Sequence, residues 1–181
     1  TTPAILLLNM MDIAEEKGKE IDAAELEKRL GIPVVPFIAA DRKAYDGFYR
    51  AVEDAMKNPS ELITSDISAL YDEVFGGPAG QLRNMIPKDG IGHYSAVWLT
   101  AKVLEGDEPT IEKVKSVLPT ERQIEFEAVV SNIKNGSLLT GDCKFRWIER
   151  VLDGAVTNTK GNKAAFSRFD RLATSKRWGK W

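Results

Sequence analysis

Apolar residues in the first sixty positions cluster in short unbroken runs, whereas those further on recur at helical spacing, so two kinds of structure are expected in one chain. Residues 4–8 (Ala-Ile-Leu-Leu-Leu) and 33–40 (Pro-Val-Val-Pro-Phe-Ile-Ala-Ala) read as strands, because short apolar runs without polar alternation suit strands covered on both faces. Between them, 13–17 and 22–30 carry helical pattern. Asp22 has N-cap chemistry, Glu25 stands three residues on as its capping-box partner, and Gly31 followed by Pro33 stops the helix. That alternation predicts a parallel α/β unit. Another helix is expected over 46–58, with Phe48, Val52 and Ala55 or Met56 on one stripe and Asn58-Pro59 closing it.

After Pro59 no strand is expected. Helices are predicted over 66–75, 92–105, 110–117, 120–134, 141–156 and 162–175, separated by Gly-Gly-Pro, Gly-Asp, Leu-Pro-Thr, Asn-Gly-Ser and Thr-Lys-Gly. Three apolar stripes support them: Tyr94, Val97, Trp98, Ala101 and Leu104; Phe126, Val129, Val130 and Ile133; Phe145, Ile148, Leu152 and Ala155. The expected fold is therefore mainly α, a remnant α/β unit of two parallel strands with helices followed by a helical bundle, with the boundary near residues 58–65.

Composition narrows the classes. With 43% hydrophobic and 29% charged residues among 181, the chain suits a packed, folded protein. No apolar run approaches the roughly 18 to 20 residues of a membrane span, and no signal-peptide order opens the chain, so a cytosolic location is expected. Cys143 and His93 are the only cysteine and histidine, which removes disulfide frameworks and Cys/His zinc clusters. Cys143 reads as a small buried helical residue and His93 as a helix-start residue. Net charge is −2, but residues 160–181 hold seven Lys or Arg against one acid, Asp170, so the tail is a different surface from the acidic body. Its Lys176, Arg177, Trp178, Lys180 and Trp181 mix cations with indoles, a combination suited to an anionic lipid headgroup layer. A nucleic-acid partner is not expected, since the tail offers no groove-sized patch or reading motif.

The chemistry most open to interpretation sits where the first strand stops, at Asn9-Met10-Met11-Asp12. Side chains at the carboxyl end of a parallel strand face the crevice in which α/β proteins bind ligands. An Asp carboxylate accepts two parallel hydrogen bonds from N1–H and N2–H of guanine, but it would meet the N1 lone pair of adenine with its own charge. An Asn amide can bond the N7 side and tie neighbouring loops together. The pair therefore suits guanine, and a helix N-cap is the alternative reading of the same residues.

The stretch "LLLNMMDIAEEKGKEIDAAELEKRLGIPVVPFIA" resembles the end of the GTPase domain of the bacterial ferrous-iron transport protein B family, FeoB. "WLTAKVLEGD" (Trp98–Asp107) is similar to a run in that family's helical domain, and "FRWIERVLDGAV" with "SRFDRLATSKRWGKW" to the stretch leading into its first membrane helix. The resemblance implies a Ras-like G-domain end over 1–58, a helical domain over 59–160, and a basic, Trp-containing segment over 161–181 approaching the bilayer. It implies that Asn9 and Asp12 read guanine, with Met10 against the base where many GTPases have Lys. A second base-binding loop then falls at Ala39, Ala40 and Asp41, where a backbone N–H would meet guanine O6. The usual Ser of that loop is replaced, so a hydroxyl that steadies it is missing.

No G-x-x-x-x-G-K-[ST] pattern occurs, and "GGPAGQLRN" at 76–84 lacks the Lys and Ser or Thr of a phosphate loop, reading instead as a chain break. The family's phosphate cradle and Mg2+ ligands would lie before Thr1. The complete protein is thus expected to use GTP or GDP with Mg2+ at the cytoplasmic face of the bacterial inner membrane, attached to the membrane core of the same transporter. The fragment alone is expected to be inactive and to hold no bound cofactor, because phosphoryl transfer depends on the missing parts. Iron would cross elsewhere. The rival readings are a non-enzymatic helical module that binds a protein or membrane, and a small α/β enzyme with an unfamiliar site. The latter is opposed by the absence of a nucleophile elbow.

Overall fold

The computed structural model describes residues 3–158. They divide into two compact units, one comprising the residues up to Leu62 with the stretch from Leu152, the other Ile63–Val151.

The first unit contains β1 (Leu6–Leu8), α1 (Met11–Glu16), β2 (Lys19–Ile21), α2 (Ala23–Leu30), β3 (Val34–Pro36), α3 (Ala44–Lys57) and, from the far end of the chain, β4 (Val156–Asn158). β1 and β3 pair in parallel, with Leu6 opposite Val34 and Leu8 opposite Pro36. α2 supplies the crossover between them. Its start is fixed by the Asp22 carboxylate, which accepts from Glu25 N–H at 2.9 Å, and its end by Gly31 at φ 73°, a left-handed cap that glycine adopts without a Cβ clash. Leu26 and Leu30 of α2 are buried with Ile32, Val34, Phe37 and Ala55. Val34 N–H donates outside the ladder, to Glu27 Oε2 at 2.9 Å, so a helix side chain covers part of the strand edge.

A second sheet, not expected from residue pattern, lies in the same unit. β2 pairs antiparallel with β4, Ile21 opposite Val156, and Asp22 N–H donates to Ala155 O at 2.8 Å. Lys-Glu-Ile and Val-Thr-Asn are too short and too polar to register as strands, and their partner lies more than a hundred residues away. The expectation of no strand after Pro59 is therefore corrected. Ala55, not Met56, completes the buried stripe of α3.

The second unit is helical: α4 (Ser65–Phe75), α5 (Gly77–Met85), α6 (Ala96–Glu105), α7 (Glu108–Val117), α8 (Thr120–Ser131) and α9 (Gly136–Leu152). α5 packs against α4, α6 and α8, and buries Ala79, Leu82 and Met85. This is the segment read as a chain break. The break is confined to Gly76 at φ 59°, and burial of the apolar residues that follow overrides the low helix propensity of Gly77 and Gly80. Two expected stripes also turn out differently. Leu99, Val103 and Leu104 form the buried face of α6 while Trp98 is partly exposed, and the buried face of α9 is Thr140 and Cys143, leaving Phe145, Ile148 and Leu152 exposed. Ala155 lies beyond that helix. Cys143 packs in the core, its thiol directed at Leu70 O, and burial pushes the thiol pKa up. The helix expected over 162–175 lies outside the described residues.

Two contacts hold the start of α9 against the corner between α6 and α7. A Cβ added to Gly136 would stand 1.9 Å from Leu104 O, so only glycine permits that approach. Glu105 accepts from Lys102 at 2.6 Å and from Lys144 of α9. Burial alone would raise the Glu105 carboxyl, but the hydrogen bonds from the two lysines outweigh it and hold the group below the usual carboxylate range.

The contrast between glycines is testable. Gly80→Ala, in open space within α5, should stabilise by about 0.5–1 kcal/mol through helix propensity, whereas Gly136→Ala should destabilise by about 3 kcal/mol through overpacking, both read from urea midpoints. Equal shifts would contradict the packing described. The depressed Glu105 value means that its stabilisation is present above the ordinary carboxylate value of 4.5 and is lost as pH falls through the lowered folded-state value. Glu105→Gln should cost about 1 kcal/mol at pH 7, the exposure of the lysines limiting the effect, and the gap from the parent should close in acid below the folded-state value. A gap that persists there would assign it to packing.

Candidate guanine-binding loops

The residues singled out at the end of β1 are exposed, and the backbone there is unusual. Met10 has φ 61° and ψ 38°, a left-handed conformation for a non-glycine residue. Such conformations cost of order 1–2 kcal/mol and persist where surrounding bonds over-determine them. Here Asn9 Oδ1 accepts from Met10 N–H at 2.8 Å, and Met10 O accepts from Ala14 N–H at 3.0 Å as α1 begins. Asn9 thereby spends its carbonyl on its own loop, and its amide N–H groups have no partner among the described residues. Asp12 stands in the first turn of α1, exposed, with no hydrogen bond or ion pair to a described residue. Met10 is 63% exposed, a large apolar side chain left in the open beside both.

The loop after β3 leaves the same, carboxyl end of the parallel pair. Phe37 joins the two: its N–H donates to Leu8 O at 2.8 Å and its O accepts from Met11 N–H at 3.5 Å, so the last residue of β1 and the first of α1 are bonded to one residue of the other loop. The Phe37 ring is buried, edge-on to Tyr45 at 5.1 Å and tilted against Phe48 at 5.7 Å. Beyond it Ala39, Ala40 and Asp41 are exposed. Asp41 N–H is committed to Ile38 O at 2.9 Å, Asp41 Oδ1 accepts from Lys43 N–H at 2.9 Å, and Asp41 O accepts from Ala44 N–H at 3.1 Å. The N–H groups of Ala39 and Ala40 have no acceptor among the described residues.

Asn9, Met10, Asp12, Ala39, Ala40 and Asp41 thus stand on two loops held together at one end of the strand pair. Phe37 and Tyr45, which hold those loops, were not singled out in the sequence. Their signal was a run of aromatics, Phe37, Tyr45, Phe48 and Tyr49, flanking the second loop. Lys176, Arg177, Trp178, Lys180 and Trp181 lie outside the described residues. His93 is in the turn before α6, its ring 4.0 Å from that of Tyr94. Among the described residues no cluster of three or more His, Cys, Asp or Glu is placed to hold a metal ion, and no helix is long and apolar enough to cross a membrane.

Residues 1–52 match the family described as Ferrous iron transport protein B. The Fe(2+) transporter FeoB of Escherichia coli (strain K12) is 26% identical over 161 residues, covering 87% of this chain and 19% of that protein. The Fe(2+) transporter FeoB of Synechocystis sp. is 45% identical over 56 residues, 29% of this chain and 9% of that protein. The chain therefore spans only a small part of the length of these curated relatives. Among solved structures, the cytosolic domain of the T. maritima FeoB iron transporter in its GMPPNP form aligns with a TM-score of 0.58 at 26% identity, covering 85% of this chain and 57% of that one. An S. thermophilus NFeoB mutant bound to GDP aligns with a TM-score of 0.66 at 20% identity, over 86% of this chain and 59% of that one, a likeness of fold. By sequence and by fold together, this chain is similar to the cytosolic region of FeoB transporters.

Proposed function

We propose that this chain is a cytosolic part of a GTP-dependent ferrous-iron transporter, supplying the guanine-recognition loops of its G domain and the helical domain that couples nucleotide state to the membrane channel. The observation that carries the proposal is the pairing of an Asp12 carboxylate without a partner among the described residues and an Asn9 amide whose N–H groups are likewise uncommitted, with a second loop clasped beside them through Phe37. In this reading Asp12 accepts from guanine N1–H and N2–H. Asn9, whose oxygen is already spent, offers donors toward the N7 side, and Met10 covers the base face by soft apolar contact. Because Asp41 N–H is committed to Ile38 O, the main-chain donor to guanine O6 is Ala39 or Ala40.

Residues 1–58 form the G-domain part, 59–160 the helical domain, and 161–181 the approach to the cytoplasmic face of the inner membrane. One amendment comes from the fold: residues from Leu152 to Asn158 group with the first unit through β4. Lys176, Arg177, Trp178, Lys180 and Trp181 would meet anionic headgroups. No P-loop pattern occurs in the chain, so the Mg2+ and phosphate chemistry implied by the family is assigned to no residue here. Ferrous iron is the cargo of the whole transporter, and among the described residues no group of three or more His, Cys, Asp or Glu is placed to hold it.

Asp12→Asn in the complete transporter should weaken GDP about a hundredfold and shift preference toward xanthine nucleotides, because the exchanged donor and acceptor match that base. Competition binding of GDP against XDP reads the switch, and an unchanged preference would remove Asp12 from the site. The 181-residue chain by itself should release no phosphate from GTP and give no saturable micromolar binding of GDP by calorimetry. Micromolar affinity would show that the phosphate cradle is dispensable.

A further inference from the structure

We infer that Tyr45 is a positioning residue for guanine recognition, acting through the peptide that joins Ala39 to Ala40; the inference rests on the guanine reading above. Loop 39–41 has no hydroxyl of its own. Tyr45, in the first turn of α3, supplies one: its phenol O–H donates to Ala39 O at 3.2 Å. That carbonyl belongs to the same planar peptide as Ala40 N–H, and in a trans peptide the two point to opposite sides. Pinning the oxygen therefore fixes the direction of the N–H, and a hydrogen bond on the carbonyl polarises it toward stronger donation.

Ala39 N–H and Ala40 N–H are both uncommitted among the described residues, and the phenol contact on Ala39 O distinguishes the peptide that carries the second. Asp41 N–H is already committed to Ile38 O. The phenol is itself well supported. Its ring lies edge-on to Phe37 at 5.1 Å and 6.3 Å from Tyr49, and Phe37 is the residue bonded to both ends of the Asn9 loop. Tyr45 therefore references the O6 donor to the same anchor that holds the N1 and N2 acceptor. The hydrogen bond is exposed and neutral, so its loss should change affinity modestly and leave the fold intact.

The experiment uses Tyr45→Phe and Asp12→Asn, each in the complete transporter, with fluorescent ribose-labelled GDP and 6-thio-GDP as probes. Tyr45→Phe should accelerate GDP dissociation about three- to tenfold, the range expected for one neutral hydrogen bond, without changing the melting temperature of the nucleotide-free protein. It should also compress the preference for GDP over 6-thio-GDP by a similar factor, because sulfur is a poor acceptor for the donor that Tyr45 orients. A purely structural role would shift both nucleotides together. Unchanged GDP dissociation in Tyr45→Phe, alongside a xanthine switch in Asp12→Asn, would overturn the Tyr45 role and leave the guanine site standing. No switch in Asp12→Asn would overturn both.

Discussion

The main chain of Phe37 is the constraint on which the candidate site depends. Strands of three residues form a parallel pair that is weak alone, so the ends of β1 and β3 need more than their ladder to stay in register. Phe37 provides it, donating to the last residue of β1 and accepting from the first residue of α1 while its ring is buried among Tyr45 and Phe48. One residue thus sets the separation of two loops whose functional groups come from different parts of the sequence. The strained backbone at Met10 is tolerated because Asn9 and Ala14 bond it on either side.

In the second unit the block Trp98–Asp107 is explained by structure rather than by chemistry. Each of its marked residues has a structural task. Trp98 stacks on Tyr94 at 4.5 Å, Leu104 is fully buried, and Gly106 at φ 82° ends α6. Asp107 then caps α7, accepting from Thr110 N–H at 3.1 Å and from its hydroxyl at 2.5 Å. Lys102 and Glu105 join the corner to α9 through Lys144, and Gly136 admits the close approach. The motif builds a rigid helix corner, and its polar residues are spent on making it.

Much of this was legible from residue pattern. Asp22 and Gly31 announced both ends of α2, and the apolar runs located β1 and β3, though longer than the strands prove to be. The failures have physical causes. β2 and β4 owe their existence to each other across the chain, a long-range pairing that leaves no local periodicity. α5 was hidden by Gly77 and Gly80, whose propensity cost is overridden by burial of Ala79, Leu82 and Met85. The outward stripe of α9 matched helical spacing as well as the buried one does, and spacing alone cannot say which face meets a core. At the site, the residue types of Asn9 and Asp12 carried the chemical meaning. That Asp41 N–H is committed and Ala40 N–H is not depends on turn geometry that no side chain announces.

The central claim is that the two loops clasped by Phe37 present one guanine-shaped edge. A crystal structure of the complete cytosolic region with bound GDP tests it most directly. The account predicts the guanine ring between the loops, N1 and N2 within hydrogen-bond distance of the Asp12 carboxylate and O6 facing Ala40 N–H. A base seated elsewhere, or Asp12 turned away from it with the Phe37 bonds intact, would contradict the account.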